Sequence, residues 1–281
     1  MNVNAYAKIN ICLNVVKKRD DGYHELEMIM VPIDLHDVIT IQFAEEDTYT
    51  CSCEDLLMDE TNTVVKAVEL MRKTFSLQQH FSIHVEKNIP AQAGLAGGSA
   101  DGAAVMRAIR ELCNLAITME ELSLLGKQIG ADVPFCILQC CAVVKGIGEY
   151  ITPFQSNCDF EIVLIKPNDG VPTGKAFSML DFSQCAHPNC DDVKVCLEQD
   201  KFEELSSHVS NSLEYSAFQI VPHIKEIKEE LIQNGFDVVL MSGSGSSVFA
   251  LTRDITLVND IVNKYHEKGY FACHTHIYNP A

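Results

Sequence analysis

The segment Pro90-Ala-Gln-Ala-Gly94-Leu-Ala-Gly97-Gly98-Ser99-Ala-Asp-Gly-Ala-Ala104 restricts the fold more than any other part of the chain. It is a glycine-rich turn between a strand and a helix. Upstream, Phe81-Ser-Ile-His-Val-Glu86 alternates apolar and polar residues as a half-buried strand does. Downstream, Ala103, Ala104, Met106, Ala108, Ile109 and Leu112 recur at helical spacing. Glycines just before a helix let the backbone approach a ligand, and the first helical amides lack partners within the helix. Those donors and the helix dipole favour an anion, commonly a phosphate. An ordinary strand-to-helix turn would use a short glycine cluster as well. The loop has neither the G-K-[ST] ending of a P-loop nor the G-x-G-x-x-G of a dinucleotide fold. A phosphate loop of a third kind is implied, with its cation supplied from elsewhere in the chain.

At 281 residues the chain is long enough for one large domain or two modest ones, and 47% hydrophobic residues can bury a sizeable core. No segment approaches the unbroken apolar length of a membrane span. The N-terminus Met1-Asn-Val-Asn-Ala-Tyr-Ala-Lys-Ile-Asn10 alternates instead of forming a basic-then-apolar signal. A soluble, cytoplasmic protein is expected. The net charge of −18 argues against nucleic acid as a partner. It also gives an anionic substrate an unfavourable far field, so binding would rely on local donors and Mg²⁺; most surface carboxylates serve solubility only.

Twelve cysteines invite a disulfide framework, but Cys12, Cys113, Cys136, Cys140 and Cys141 lie in apolar runs, where a reduced cysteine acts as a small hydrophobe. Cys185, His187, Cys190 and Cys196 can be drawn as a zinc site, yet their spacing has no C-x-x-C pairing, and Pro188 with Asp191-Asp192 reads as a surface loop. Cys273-His-Thr-His276 places two histidines on one face of a terminal strand. No metal ligand is assigned.

Strands are expected at Val3–Val16, Glu27–Ile33 and Asp37–Phe43, and a helix at Thr63–Lys73 with Thr61 or Asn62 as N-cap. A second helix, Thr118–Ile129, opens on a Thr-Met-Glu-Glu capping pattern and is stopped by Gly130-Ala-Asp132-Val-Pro134-Phe135. The polar stretch Gln155–Asp159 suggests a boundary, giving domains 1–155 and 156–281. The second half holds a strand at Phe160–Lys166, helices near Thr173–Leu180 and Pro222–Asn234, and a strand at Asp237–Met241. The turn Ser242-Gly-Ser-Gly245-Ser-Ser247 leads into Val248–Leu251, a helix near Ile255–Lys268 and a last strand. The fold class is α+β with two joined halves.

Lys8 sits in an apolar-alternating strand, where it is either a snorkelling residue or a fixed cation at a site. Asp132 is either a turn aspartate or a base. If the two converge, the carboxylate can take a proton from an alcohol while the ammonium steadies the oxyanion and phosphate. Asp21-Gly22-Tyr23-His24 is either a surface hairpin or a stacking platform for a flat ring. The two glycines and four serines of Ser242–Ser247 suggest close approach of backbone to a ligand or to the first glycine loop.

In combination these segments resemble the GHMP kinase superfamily. Pro90–Ala104 is similar to its phosphate-binding motif and Met241–Ala250 to its C-terminal glycine motif. Ala7-Lys-Ile-Asn10, Asp21-Gly-Tyr-His24, Gly94–Asp101 and Gly130–Phe135 bring the chain nearest to the branch that uses ATP to phosphorylate the 2-hydroxyl of 4-diphosphocytidyl-2-C-methyl-D-erythritol, in non-mevalonate isoprenoid synthesis. The resemblance runs over nearly the whole chain. It implies a two-domain fold: an N-terminal mixed sheet with helices and the phosphate loop, and a C-terminal α/β sandwich. It implies Asp132 as catalytic base and Lys8 as catalytic lysine. The nucleotide would be held by Pro90, Ala91, Gln92, Ala93, Gly94, Leu95, Ala96, Gly97, Gly98, Ser99 and Ala100, with Asn62 and Lys87 on the adenosine side. The substrate would be held by Asn10, Tyr23 and His24, by Phe177 sandwiching cytosine against the tyrosine, and by Thr173. ATP and Mg²⁺ are the implied cofactors, and a monomer or homodimer the implied assembly.

Two departures stand out. Ala100 replaces a serine common in relatives, leaving Ser99 or ATP and water to hold the metal. Gly102 replaces an alanine, at a cost of up to about 1 kcal/mol inside a helix. A mevalonate- or homoserine-type kinase would have no base to sandwich. A non-catalytic ligand sensor should have lost Lys8 or Asp132.

Overall fold

The structure is a computed structural model that describes residues 1–279. The chain begins with β1 (Asn2–Lys18), β2 (His24–Ala44) and β3 (Thr48–Cys51), then α1 (Thr63–Phe75), β4 (His80–Glu86), α2 (Gly97–Leu112), α3 (Met119–Gly126) and α4 (Val133–Leu138). It continues with β5 (Ala142–Gly146), β6 (Tyr150–Pro153), β7 (Glu161–Lys166), α5 (Thr173–Ser178), α6 (Cys190–Glu198), α7 (Phe202–Leu205) and α8 (Glu214–Ile220). It ends with α9 (His223–Gln233), β8 (Val238–Met241), β9 (Val248–Thr252), α10 (Ile255–Glu267) and β10 (Phe271–Thr275).

These elements cluster into two units. The first takes Met1–Ala7, Leu35–Ile89 and Ala96–Gln139; the second takes Lys8–Asp34, Pro90–Leu95 and the chain from Cys140 onward. A division at residues 155/156 therefore falls inside the second unit. The reason lies in β1: the Leu13 N–H donates to Ser210 O and the Ser212 N–H to Leu13 O, so an early strand packs with late residues.

In the first unit the second half of β2 pairs antiparallel with β4, setting Ile39 opposite Val85, Ile41 opposite Ile83 and Phe43 opposite Phe81, and β3 adds to β4 in parallel. β4 alternates buried and exposed residues, as its period-two pattern predicts. α1 buries Val64, Val65, Ala67, Val68 and Met71, and Asn62 is its N-cap, with Oδ1 accepting from the Val64 N–H. α2 is buried from Ala100 through Met106 because its face is built of small residues. A Cβ at Gly102 would lie 3.1 Å from Thr63 O and 3.2 Å from Thr63 Cβ. The missing methyl lets the start of α1 lie close against α2, which offsets the helix-propensity cost. α3 carries the expected capping box of Thr118 and Glu121.

In the second unit β7, β8, β9 and β10 form an antiparallel sheet in the order β10-β7-β9-β8. The first half of β2 pairs with β5, and β5 with β6. β7 is buried along nearly its whole length.

Three readings change. Glu27–Ile33 and Asp37–Phe43 belong to one 21-residue strand, because Asp34 stays extended with its N–H donating to His276 O at 3.0 Å. Gly130–Phe135 does more than stop a helix: Asp132 is the N-cap of α4, with Pro134 in the first turn where its missing N–H is tolerated. Residues 190–198 form a helix and not a loop. Asn189 caps it, Asp191 and Asp192 sit at the positive end of its dipole, and Cys190, Val193, Cys196 and Leu197 line its buried face. Cys190 Sγ contacts Glu27 O at 3.3 Å, so the four-residue zinc reading of that stretch is not built. All twelve cysteines are free.

The first unit also holds a buried ion cluster absent from the sequence reading. Lys87 Nζ donates to Asp101 Oδ2 at 2.7 Å and to Asp37 Oδ2. Asp37 Oδ1 accepts from the Asn88 and Ile89 N–H groups, at 2.5 and 2.8 Å. Asp101 Oδ1 is buried with no partner among the described residues. Burial, opposed by Lys87 and reinforced by Asp37, pushes the Asp101 carboxyl up to about 7 from 3.8. Burial disfavours the Lys87 ammonium, but Asp101 and Asp37 outweigh it and raise its pKa. Because Asp101 titrates higher folded than unfolded, its contribution to stability is full below about pH 4 and is lost as pH rises through about 7. Urea unfolding of Asp101→Asn at pH 5 and pH 8 is expected to give a smaller stability loss with rising pH than wild type, the difference being at most a few kcal/mol. Equal pH dependence in the two proteins would remove Asp101 as its source.

Candidate active site

Lys8, Asn10 and Cys12 alternate along one side of β1 and all three are buried, Lys8 at 4% exposure. Lys8 Nζ donates to Asn10 Oδ1 at 2.7 Å and to Gly94 O at 3.1 Å, and the Lys8 N–H donates to Leu95 O. Both side-chain acceptors are neutral. The lysine is thus fixed against the glycine loop and does not snorkel.

The second glycine turn closes on the first. Gly94 has φ +74°, and a Cβ there would sit 2.1 Å from Ser242 O; Gly243 has φ +57°, and its Cβ would sit 3.0 Å from Gly94 O and 3.3 Å from Lys8 Nζ. Ser242 Oγ donates to Gly94 O at 3.0 Å, and the Ser246 and Ser247 N–H groups donate to Gln92 O and Ala93 O. Of the two roles open to Ser242–Ser247, close approach to the first loop is the one observed. Asn211, a residue the sequence reading passed over, holds this turn: Nδ2 donates to Met241 O and Gly243 O, each at 2.8 Å. A lone asparagine after a serine carries no sequence signal for that role. Thr173 Oγ1 lies 2.9 Å from Ser244 Oγ, which joins the start of α5 to the same turn.

Aromatic rings gather around His24 and Phe177. His24 stacks on Phe177, with centroids 5.0 Å apart at 28°, and Phe182 continues the stack at 6.5 Å from His24. His187 lies nearly parallel to Phe182 at 6.3 Å, its Nδ1 3.1 Å from Asn14 Oδ1. Tyr23 is 61% exposed, and its N–H donates to Asp21 Oδ1. Burial and nearby Lys18 lower the His24 pKa, so its ring is neutral near pH 7.

In the first unit α2 starts within the glycine run, as the sequence predicts. Ala96 is its left-handed N-cap, and the first helical bond runs from the Ala100 N–H to Ala96 O. The amides of Gly97, Gly98 and Ser99 precede that bond. Thr63 Oγ1 donates to Gly98 O at 2.5 Å, which fixes the turn. A Cβ at Gly130 would come 4.0 Å from Ser99 Oγ, so the Asp132 turn lies near this helix start. Asp132 is half-buried, and its carboxylate makes no bond to the helix it caps. Pro90, Ala91, Leu95 and Ala100 contribute backbone or packing to the loop, Leu95 and Ala100 being buried. Asn62 is committed to the α1 cap and to Leu57 O, and the Lys87 ammonium to two carboxylates.

Residues 62–140 match the family model for the GHMP kinase N-terminal domain, and residues 194–270 the model for the GHMP kinase C-terminal domain. The chain is 41% identical over 257 residues to the 4-diphosphocytidyl-2-C-methyl-D-erythritol kinase of Clostridium beijerinckii, covering 91% of this chain and 92% of the relative. It is 39% identical over 261 residues to the enzyme of the same name from Enterococcus faecalis, covering 92% of each. A crystal structure of 4-(cytidine 5'-diphospho)-2C-methyl-D-erythritol kinase superposes with TM-score 0.84 at 28% identity, over 99% of this chain and 100% of that one. Homoserine kinase from Cytophaga hutchinsonii, at TM-score 0.74 and 16% identity over 99% of this chain and 94% of that one, shares the fold. With kinship of this extent, two glycine turns in contact and a lysine held between them, the chain belongs to the GHMP kinases and, within them, to the 4-diphosphocytidyl-2-C-methyl-D-erythritol kinase family.

Proposed function

We propose that this protein is an ATP-dependent kinase that transfers the γ-phosphoryl group to the 2-hydroxyl of 4-diphosphocytidyl-2-C-methyl-D-erythritol, a step of non-mevalonate isoprenoid synthesis. Kinship across more than nine-tenths of the chain with kinases of that name carries the reading. The His24–Phe177 stack supports it, because a flat neutral ring pair suits a pyrimidine and has no counterpart in the needs of mevalonate or homoserine.

Phosphoryl transfer depends on positioning and charge stabilisation more than on covalent help. Asp132 is assigned as the base for the 2-hydroxyl proton, a role its uncapped carboxylate leaves open. Lys8 is assigned to the charge on the transferring group. Its ammonium is already desolvated and oriented by Asn10 and Gly94, so little reorganisation accompanies reaction. The amides of Gly97, Gly98 and Ser99 are assigned to ATP phosphates. His24, Phe177 and Tyr23 are assigned to the cytidine end, Asn10 and Thr173 to the substrate's polar groups.

Mg²⁺ is part of the proposal. Ala100 offers it no ligand, whereas Ser99 has a hydroxyl in the first turn of α2, so the donor set fits an ion carried mainly by ATP and water with Ser99 as the protein group. Bound with ATP, the ion supplies neutralisation of phosphate charge.

The reading is tested by an ADP-coupled assay with Mg²⁺, comparing diphosphocytidyl-methylerythritol with mevalonate and homoserine. Turnover confined to the cytidyl substrate is expected. Activity on another alcohol alone would overturn the substrate, and tight substrate binding without turnover would overturn the enzyme. Asp132→Asn should keep the wild-type Tm and lose on the order of 10²-fold or more in kcat; near-normal kcat would take Asp132 out of the reaction. Phe177→Ala should raise KM for the cytidyl substrate by about tenfold or more with a smaller change in kcat. A fall in kcat at constant KM would place Phe177 in the chemistry and not in base binding.

A further inference from the structure

The His274/His276 pair, which phosphoryl transfer leaves unused, lies beside a carboxylate on the edge strand of the second unit's sheet. β10 runs antiparallel to β7 with His274 opposite Val163 and Thr275 opposite Ile162. One further step of that register sets His276 against Glu161, and alternate residues of a strand share a face. One ligand atom from each of Glu161, His274 and His276 lies within 4.8 Å of the others. His274 Nε2 is 2.5 Å from Glu161 Oε2, and the two imidazoles meet edge to face at 6.1 Å. Asp34 stands behind them: its Oδ2 is 3.7 Å from His276 Nε2, and its N–H donates to His276 O.

We propose that Glu161, His274 and His276 form a zinc-binding site, with Asp34 steadying His276. Two imidazoles and one carboxylate suit Zn²⁺ and its first-row neighbours, whereas Mg²⁺ and Ca²⁺ take oxygen ligands. Tetrahedral zinc with bonds of about 2.0–2.1 Å keeps its ligand atoms about 3.4 Å apart, so small side-chain rotations complete the geometry. Those rotations are open because the side chains are partly exposed. A carboxylate behind a ligating histidine orients the ring and raises its basicity. The site would act as a clamp. β10 is the last strand of the sheet order, and beyond it Ile277 bridges Ile33 while the Tyr278 N–H donates to Pro32 O. Zinc at His276 would fix this terminal segment to β7, independently of the kinase chemistry.

The test is titration of the metal-free full chain with Zn²⁺ alone, followed by calorimetry and thermal unfolding. One Zn²⁺ per chain at roughly micromolar affinity and a raised Tm are expected. His274→Gln and His276→Gln should each weaken zinc binding about tenfold or more and remove the Tm rise, with unchanged kinase turnover and a wild-type circular dichroism spectrum; Asp34→Asn should weaken binding about tenfold. A second grouping, Cys196, Glu204 and His208, also has ligand atoms within 4.8 Å. Cobalt loading separates the two, since the proposed site gives no thiolate charge-transfer band and His208→Ala leaves uptake intact. Zinc uptake unchanged in both glutamine variants, uptake lost in His208→Ala but kept in them, or no binding below about 100 μM would each overturn the proposal.

Discussion

The backbone of Gly94 rests on the backbone of Ser242 with no space for a methyl group, and the position of Lys8 depends on that contact. Gly94 O accepts from Lys8 Nζ and from Ser242 Oγ together, so one carbonyl ties the strand, the phosphate loop and the second glycine turn. The second turn is itself held by Asn211, and Asn211 is held by the strand that carries Lys8, through its bridge to Leu13. The circuit closes: β1 sets Asn211, Asn211 sets Ser242–Gly243, that turn sets Gly94, and Gly94 sets the ammonium on β1. Glycine recurs here because the approaches of Gly94 to Ser242 O and of Gly243 to Gly94 O are backbone to backbone and leave no room for a Cβ.

Features with a local physical signature were legible in the sequence. The glycine run announced the start of α2, Asn62 and Thr118 announced helix caps, and the period-two pattern of Phe81–Glu86 announced β4. The missed features are those whose partners are distant in the chain. A polar interruption at Asp34 looks like a strand break until its N–H is seen paired to His276 O. Asp191-Asp192 looks like loop acidity until Asn189 is seen capping a helix beneath them. The stack of Phe177 on His24, a residue about 150 positions earlier in the chain, had no local sign in the sequence. Gly102 read as a helix defect, and only the 3.1 Å approach to Thr63 O explains it.

The acidity of the chain raises a question that local structure answers. A protein of net charge −18 that binds a nucleoside triphosphate works against its own far field. Screening confines that field to about 8–10 Å in physiological salt, so short-range donors decide binding. Backbone amides at a helix start are such donors, and α2 has no acidic residue in its first turn to compete for them. The role proposed for the amides of Gly97–Ser99 is consistent with an acidic chain.

Lys87 and Lys8 show how differently one residue type can be surrounded. Lys87 sits between Asp37 and Asp101, and three charges balance to a net −1 with a proton readily taken up by Asp101. Such a group joins β4 to α2 but has little positive field left for a phosphate. Lys8 is more deeply buried, and both of its acceptors, Asn10 Oδ1 and Gly94 O, are neutral. They orient the ammonium and leave its charge uncancelled. Desolvating a cation without a charged partner is costly, and an anion brought against it would offset that cost through a stronger interaction than water allows. The structure thus makes Lys87 a tie between two carboxylates and leaves Lys8, on an apolar-alternating strand, hydrogen-bonded to neutral acceptors. The neighbours' charge, which sequence order does not reveal, makes the difference.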